Sequence, residues 1–176
     1  MTRVLVRPAA DADIGAVTAI YAESVLHGTG TFELEPPAAG EMARRIAAVT
    51  DNALPWLVAE SGGAVAGFAY ANHFRPRPAY RFCLEDSIYL APSARGRGVG
   101  RLLLAELLAQ AQSRGARQML AVIGDAANLG SIGVHRAVGF EHAGVLRAAG
   151  WKFGRWLDVV LMQRRLGQGE LADAAE

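Results

Sequence analysis

The chain has 176 residues, enough for one domain with a sizeable core, and its 52% apolar and 20% charged composition is that of a globular protein. A net charge of +1 excludes a strongly basic face for nucleic acid or membrane by bulk charge. Cys83 stands alone, which excludes a disulfide framework or a cysteine zinc site within the chain. The four histidines lack metal-ligand spacing, and no segment reads as a signal peptide or membrane span, so a cytoplasmic setting without metal is the expectation.

In chain order, Arg3–Pro8 alternates and ends at a proline, which predicts a first strand. Asp11 is placed to cap a helix whose apolar positions, Ile14, Val17, Ile20, Tyr21 and Val25, carry it to about His27. Gly28–Pro37 is a loop, and Glu41–Val49 a short amphipathic helix. Two apolar runs flank Gly62-Gly63, the signal of a tight hairpin between antiparallel strands. Phe74–Phe82, with two prolines and three arginines, is a loop that leads into a strand ending at Leu90. Along that strand Phe82, Leu84, Asp86, Ile88 and Leu90 share one face, and Cys83, Glu85, Ser87 and Tyr89 the other.

A third helix starts near Gly98 and stops at Gly115, a C-terminal cap. Gln118–Ile123 is an apolar strand, and Asn128–Val138 a short helix closed by Gly139. Strands follow around Glu141–Leu146 and over Arg155–Leu166. The order βααβββαβαββ predicts an α/β (α+β) fold: one domain over 1–166, mostly antiparallel, with a parallel pair where strand, helix and strand succeed one another at 83–123. Residues 167–176 are small and acidic, which predicts a disordered tail.

Arg95–Gly100 reads RGRGVG at a strand-to-helix junction. A helix N-terminus offers unpaired N–H groups and partial positive charge, and glycines admit a ligand close to the backbone, so the loop suits a pyrophosphate. It lacks the Lys-Ser ending of an ATP- or GTP-binding loop, and its spacing and mid-chain position differ from a dinucleotide fingerprint. The competing reading is an exposed loop whose arginines face water.

Arg95, Gly98 and Gly100, followed by Asn128, Ser131, His135 and Gly139-Phe140, resemble the acetyl-CoA motifs of the GNAT superfamily of N-acyltransferases. Histidine stands where that family usually has a tyrosine. TGTFE (29–33), FRPRPAYRF, EDSIYL, VIGD, SIGVH and KFGRWLDVVLMQ resemble the phosphinothricin and methionine sulfoximine acetyltransferases within it. The resemblance runs from the first strand to Leu166. It implies the GNAT fold, with the two parallel strands splayed apart, acetyl-CoA as co-substrate, a small amino-acid acceptor and a homodimer. No nucleic-acid or membrane partner is expected.

The resemblance also implies roles for particular residues. Backbone groups of Ile88 and Leu90, with Tyr89 between them, pair with the pantetheine, and the Ile88 N–H faces the thioester oxygen. Arg95, Gly96, Arg97, Gly98, Val99, Gly100 and Arg101 hold the phosphates, while Asn128 and Ser131 contact the pantetheine. Glu85 matches the base that deprotonates the amine, and His135 the acid that protonates the leaving thiolate. Phe32, Arg75, Arg77 and Tyr80, with Glu85, Asp86 and Ser87, surround the acceptor, the arginines clamping its anionic end. For Glu85 the competing reading is a salt bridge to Arg81 or Arg77; for His135, a bond to a backbone carbonyl. Other readings of the whole chain are a GNAT enzyme for a different small amine and a non-catalytic acyl-CoA-binding module.

Overall fold

The computed structural model describes residues 3–173. Its elements, in chain order, are β1 (Val4–Pro8), α1 (Ile14–His27), α2 (Ala39–Thr50), β2 (Trp56–Ser61), β3 (Ala64–His73), β4 (Cys83–Leu90), α3 (Val99–Ser113), β5 (Gln118–Gly124), α4 (Leu129–Ala137), β6 (Glu141–Lys152) and β7 (Arg155–Arg165). The seven strands form one sheet in the order β1-β2-β3-β4-β5-β7-β6. Every pairing is antiparallel except β4 with β5. Helix α3 joins those two, the connection a parallel pair demands.

Local chemistry accounts for most boundaries. The apolar stripe Val17, Ile20, Tyr21 and Val25 buries one side of α1. Helix α3 sends Leu103, Leu104, Leu107, Leu108 and Ala111 into the core, where they meet Phe68, Leu84 and Met119 from the sheet. Three elements depart from expectation. Asp11 does not cap α1; residues Asp11–Asp13 make a 3-10 turn, and Asp13 accepts the Ala10 N–H at 2.8 Å while pairing with Arg7 at 2.6 Å. A carboxylate held by a guanidinium six residues behind it and a backbone N–H three residues behind it outcompetes an isolated cap. Strand β6 continues to Lys152, beyond the expected end at Leu146, because pairing with β7 resumes at Gly150 after an irregularity. Residues 167–173, expected to be disordered, carry a 3-10 turn at Gly169–Leu171, and Gln118 donates to Glu170 at 3.2 Å. Contact with the end of β5 orders them; 174–176 of the expected tail lie outside the described residues.

The feature that positions the site is the way β4 and β5 separate. Their register runs Cys83↔Gln118 to Asp86↔Ala121 and stops there. Ser87–Leu90 and Val122–Gly124 continue as strands, held on their outer sides by β3 and β7. Along β4 the carbonyl of Phe82 points to the β5 side, accepting from Arg117 and Gln118, and that of Cys83 points to β3, accepting from Phe74. Backbone direction alternates residue by residue, so the N–H and C=O of Ile88 and Leu90 face the gap. The described residues supply no strand partner there.

Candidate active site

A cleft of about 630 Å³ opens where the two strands part. Its floor is Asp86–Leu90 of β4 and Ala121–Gly124 of β5; α3 and α4 close one side, and the turn Gly28–Gly30 the other. At the α3 end the chain is shaped for close backbone approach. Gly96 and Gly98 have φ of +71° and +82°, a left-handed region costly for any residue with a Cβ. Leu102 makes the first helical hydrogen bond of α3, back to Gly98, so the N–H groups before it have no partner within the helix. With Arg95 and Arg101 at the rim, this end concentrates donors and positive charge. Arg95, Gly96, Gly98, Gly100 and Arg101 line the cleft. Val99 does not, since its side chain is buried in the core, and Arg97 donates to the Ser93 carbonyl at 3.4 Å, outside the lining.

Asn128 and Ser131 line the wall formed by α4. Asn128 is the N-cap of that helix, its Oδ1 accepting the Ser131 N–H at 3.2 Å. One turn on, His135 is 2% exposed, with its ring edge-to-face on Phe140. Its Nδ1 lies 2.7 Å from the Ser131 carbonyl, and its Nε2 lies 2.9 Å from Oδ2 of Asp86. The carbonyl can only accept, so Nδ1 carries a hydrogen, and the Asp86 carboxylate at Nε2 favours the protonated ring. Burial alone would push its pKa down; the Asp86 carboxylate and the Ser131 carbonyl outweigh that and raise it. The second oxygen of Asp86, Oδ1, is buried without a hydrogen-bond partner among the described residues, and Asp86 lines the cleft. This buried pair, 49 residues apart in sequence, escapes any motif reading.

Glu85 lies on the opposite face of β4 from Asp86, with Ser87 and Tyr89. It is half-buried, and burial, reinforced by the neighbouring Asp86, raises its pKa, while Arg75 opposes the shift. Among the described residues no arginine or other cation makes an ion pair with Glu85, which removes the expected alternative of a bridge to Arg77 or Arg81. Arg75 stacks over Phe74 at 4.5 Å, and Phe74 meets Tyr80 edge-to-face. Arg75, Arg77 and Tyr80 are exposed and lie outside the cleft's lining, as do Glu85 and Phe32. Ser87 and Asp86 line it. The expected site residues therefore separate into those that line the cleft and those that lie outside its lining, among them Glu85, Phe32, Arg75, Arg77 and Tyr80.

The loop that follows α1 is fastened by contacts that the sequence did not point to. Tyr21 bonds Thr31 and Glu33, and Arg45 pairs with Glu33 at 2.7 Å. Lys152 reaches the same loop from β6, and its being the chain's one lysine was the available signal. Among the described residues no cluster of His, Cys, Asp or Glu could hold a metal ion, and no helix is long and apolar enough to cross a membrane.

This geometry, with splayed parallel strands and a glycine-rich helix start aimed into the gap, is that of an acyl-CoA site. The family model for "Acetyltransferase (GNAT) family" matches residues 19–140. The chain belongs to the GNAT family of acetyltransferases. It is 54% identical over 165 residues, 94% of this chain and 84% of the relative, to a phosphinothricin N-acetyltransferase of Alcaligenes faecalis. It is 37% identical to an L-methionine sulfoximine/L-methionine sulfone acetyltransferase of Pseudomonas aeruginosa, covering 92% of this chain and 94% of the relative. A crystal structure of a Sinorhizobium meliloti phosphinothricin acetyltransferase in complex with AcCoA superposes with a TM-score of 0.95 at 50% identity, covering 98% of this chain and 94% of that one.

Proposed function

We propose that this enzyme acetylates the α-amino group of a glutamate-like amino acid or analogue, such as phosphinothricin, methionine sulfoximine or methionine sulfone. Acetyl-CoA, when bound, supplies the acetyl group as a thioester. The observation that carries the reading is the double use of β4. Its backbone at Ile88 and Leu90 faces the cleft between the strands, and three residues before Ile88 the half-buried carboxylate of Glu85 stands on the strand's other face.

The chain's residues fit the donor. Unpaired N–H groups at the start of α3, with Arg95 and Arg101, suit a diphosphate. The open edges of β4 and β5 suit an amide-bearing arm, with Asn128 and Ser131 beside it. The Ile88 N–H is placed to stabilise negative charge developing on the thioester oxygen. Glu85 takes a proton from the acceptor's ammonium. Its raised pKa makes it a stronger base than an exposed glutamate. The proton for the leaving thiolate comes from the His135–Asp86 pair, in which it lies between Nε2 and Oδ2. The nitrogen loses two protons as the amide forms, the first to Glu85 and on to water. The second leaves as the C–S bond breaks and, through water, replaces the proton that the pair gives the thiolate, so each turnover releases one proton. Arg75, Arg77 and Tyr80 provide the anion clamp, with Phe32 as a wall.

The relatives' names support the substrate class. A homodimer belongs to the same proposal, supported by the exposed apolar side chains Val145, Leu146, Trp151, Phe153 and Trp156 along β6 and β7. So does a cytoplasmic setting. The test is a thiol-release screen with acetyl-CoA over methionine sulfoximine, phosphinothricin, methionine sulfone, a polyamine and an aminoglycoside. Turnover of the amino-acid analogues is expected. Turnover of the polycations alone rejects the substrate class. Tight acetyl-CoA binding with no turnover of any amine makes the chain a binding module.

A further inference from the structure

Lys152 is the chain's one lysine, and it is 2% exposed. Its Nζ donates to the carbonyl of Gly28 at 2.9 Å and to that of Thr31 at 2.8 Å. Neither carbonyl accepts a backbone N–H among the described residues. Its ammonium also lies 5.1 Å from the ring centre of Phe153. No carboxylate pairs with it among the described residues, and burial pushes its pKa down against the opposing pull of Glu33. A buried cation without a counter-ion is a costly choice where methionine would pack as well. What it secures is the turn that carries one wall of the cleft. The same stretch is seated by shape: a Cβ on Gly150, two residues before Lys152, would lie 2.0 Å from the ring of Phe32.

We infer that Lys152 is a positioning residue for the acceptor: its ammonium staples the Gly28–Thr31 turn, and with it Phe32, to the β6–β7 hairpin. This rests on the reading above that Phe32 walls the acceptor side. Without the ammonium, two inward-facing carbonyls lose their donor and the turn loosens, while the start of α3 keeps its geometry. The substrate whose fit depends on Phe32 suffers most; the donor, which this turn also walls but which the start of α3 holds, suffers less.

The test compares wild type with Lys152→Met by steady-state kinetics and by amide hydrogen exchange over residues 28–33. In Lys152→Met, the KM for methionine sulfoximine rises about tenfold, with kcat and the KM for acetyl-CoA each moving less than about threefold, and the turn exchanges about tenfold faster. Gly150→Ala displaces Phe32 while leaving Lys152 in place, and gives the same split in smaller measure, so the question stays open to measurement if Lys152→Met does not fold. Unchanged exchange over 28–33 in a folded Lys152→Met overturns the inference. So does a Gly150→Ala variant with wild-type acceptor KM. If wild type turns over no amine, the substrate reading fails by itself, and the exchange data still decide whether Lys152 holds the turn.

Discussion

The two sides of β4 solve their binding problems with different materials. On the proposed donor side the groups that would face the ligand are mostly backbone: N–H groups at the start of α3, and the edges of Ile88 and Leu90. On the proposed acceptor side they are side chains, Glu85, Arg75, Arg77 and Tyr80, and the Thr31–Glu33 loop is fastened by Tyr21, Arg45 and Lys152. Backbone groups are fixed once the fold forms and carry no identity, so the donor side suits a co-substrate that never changes. Side chains can be exchanged singly, so the acceptor side is where related enzymes can diverge in substrate.

Four substitutions can break or sharpen that contrast. Glu85→Gln removes the base and keeps the shape: kcat falls about 10²- to 10⁴-fold while acetyl-CoA affinity, measured by calorimetry, stays within about twofold. Equal loss of both would place Glu85 in the fold and not in the chemistry. Asp86→Asn leaves the His135 ring buried without its charged partner, and destabilises the protein by about 3–5 kcal/mol in denaturant titration. His135 has a folded pKa raised above its ordinary 6.5, so the pair's contribution is complete below pH 6.5 and is lost as pH climbs through the higher folded value. The wild-type melting temperature therefore drops on the alkaline side more than that of Asp86→Asn.

Gly98→Val forces a β-branched residue to φ +82°, and weakens acetyl-CoA binding roughly 10- to 100-fold with kcat at saturation little changed. Arg77→Ala acts in reverse, raising the acceptor KM about five- to tenfold and leaving the donor untouched. The kcat profile at saturating substrates checks both faces together. It rises as Glu85 deprotonates, above the ordinary 4.5, and falls as the His135 pair loses its proton, above 6.5. Glu85→Gln abolishes the acid limb only.

The same contrast explains what could be read in advance. RGRGVG was legible because a phosphate cradle is local: glycine positions and a helix start are set within six residues. The strand order, the hairpin at Gly62-Gly63 and the parallel β4–β5 pair were legible from periodicity and turn chemistry. Asp86 and His135 were each visible, but not as partners; only the packing of α4 against β4 brings them to 2.9 Å. Arg97 and Val99 fell inside a motif whose neighbours line the cleft while they do not.

The sequence by itself determined the element order, the superfamily motifs and the residues able to do acid–base work, because these depend on neighbours a few positions apart. Tertiary structure alone decided where β4 leaves β5, that His135 is buried against the Asp86 carboxylate, and that the lone lysine holds a turn more than 120 residues away. Those facts depend on which surfaces the core brings together, and burial is what gives a distant charge or carbonyl its energetic weight.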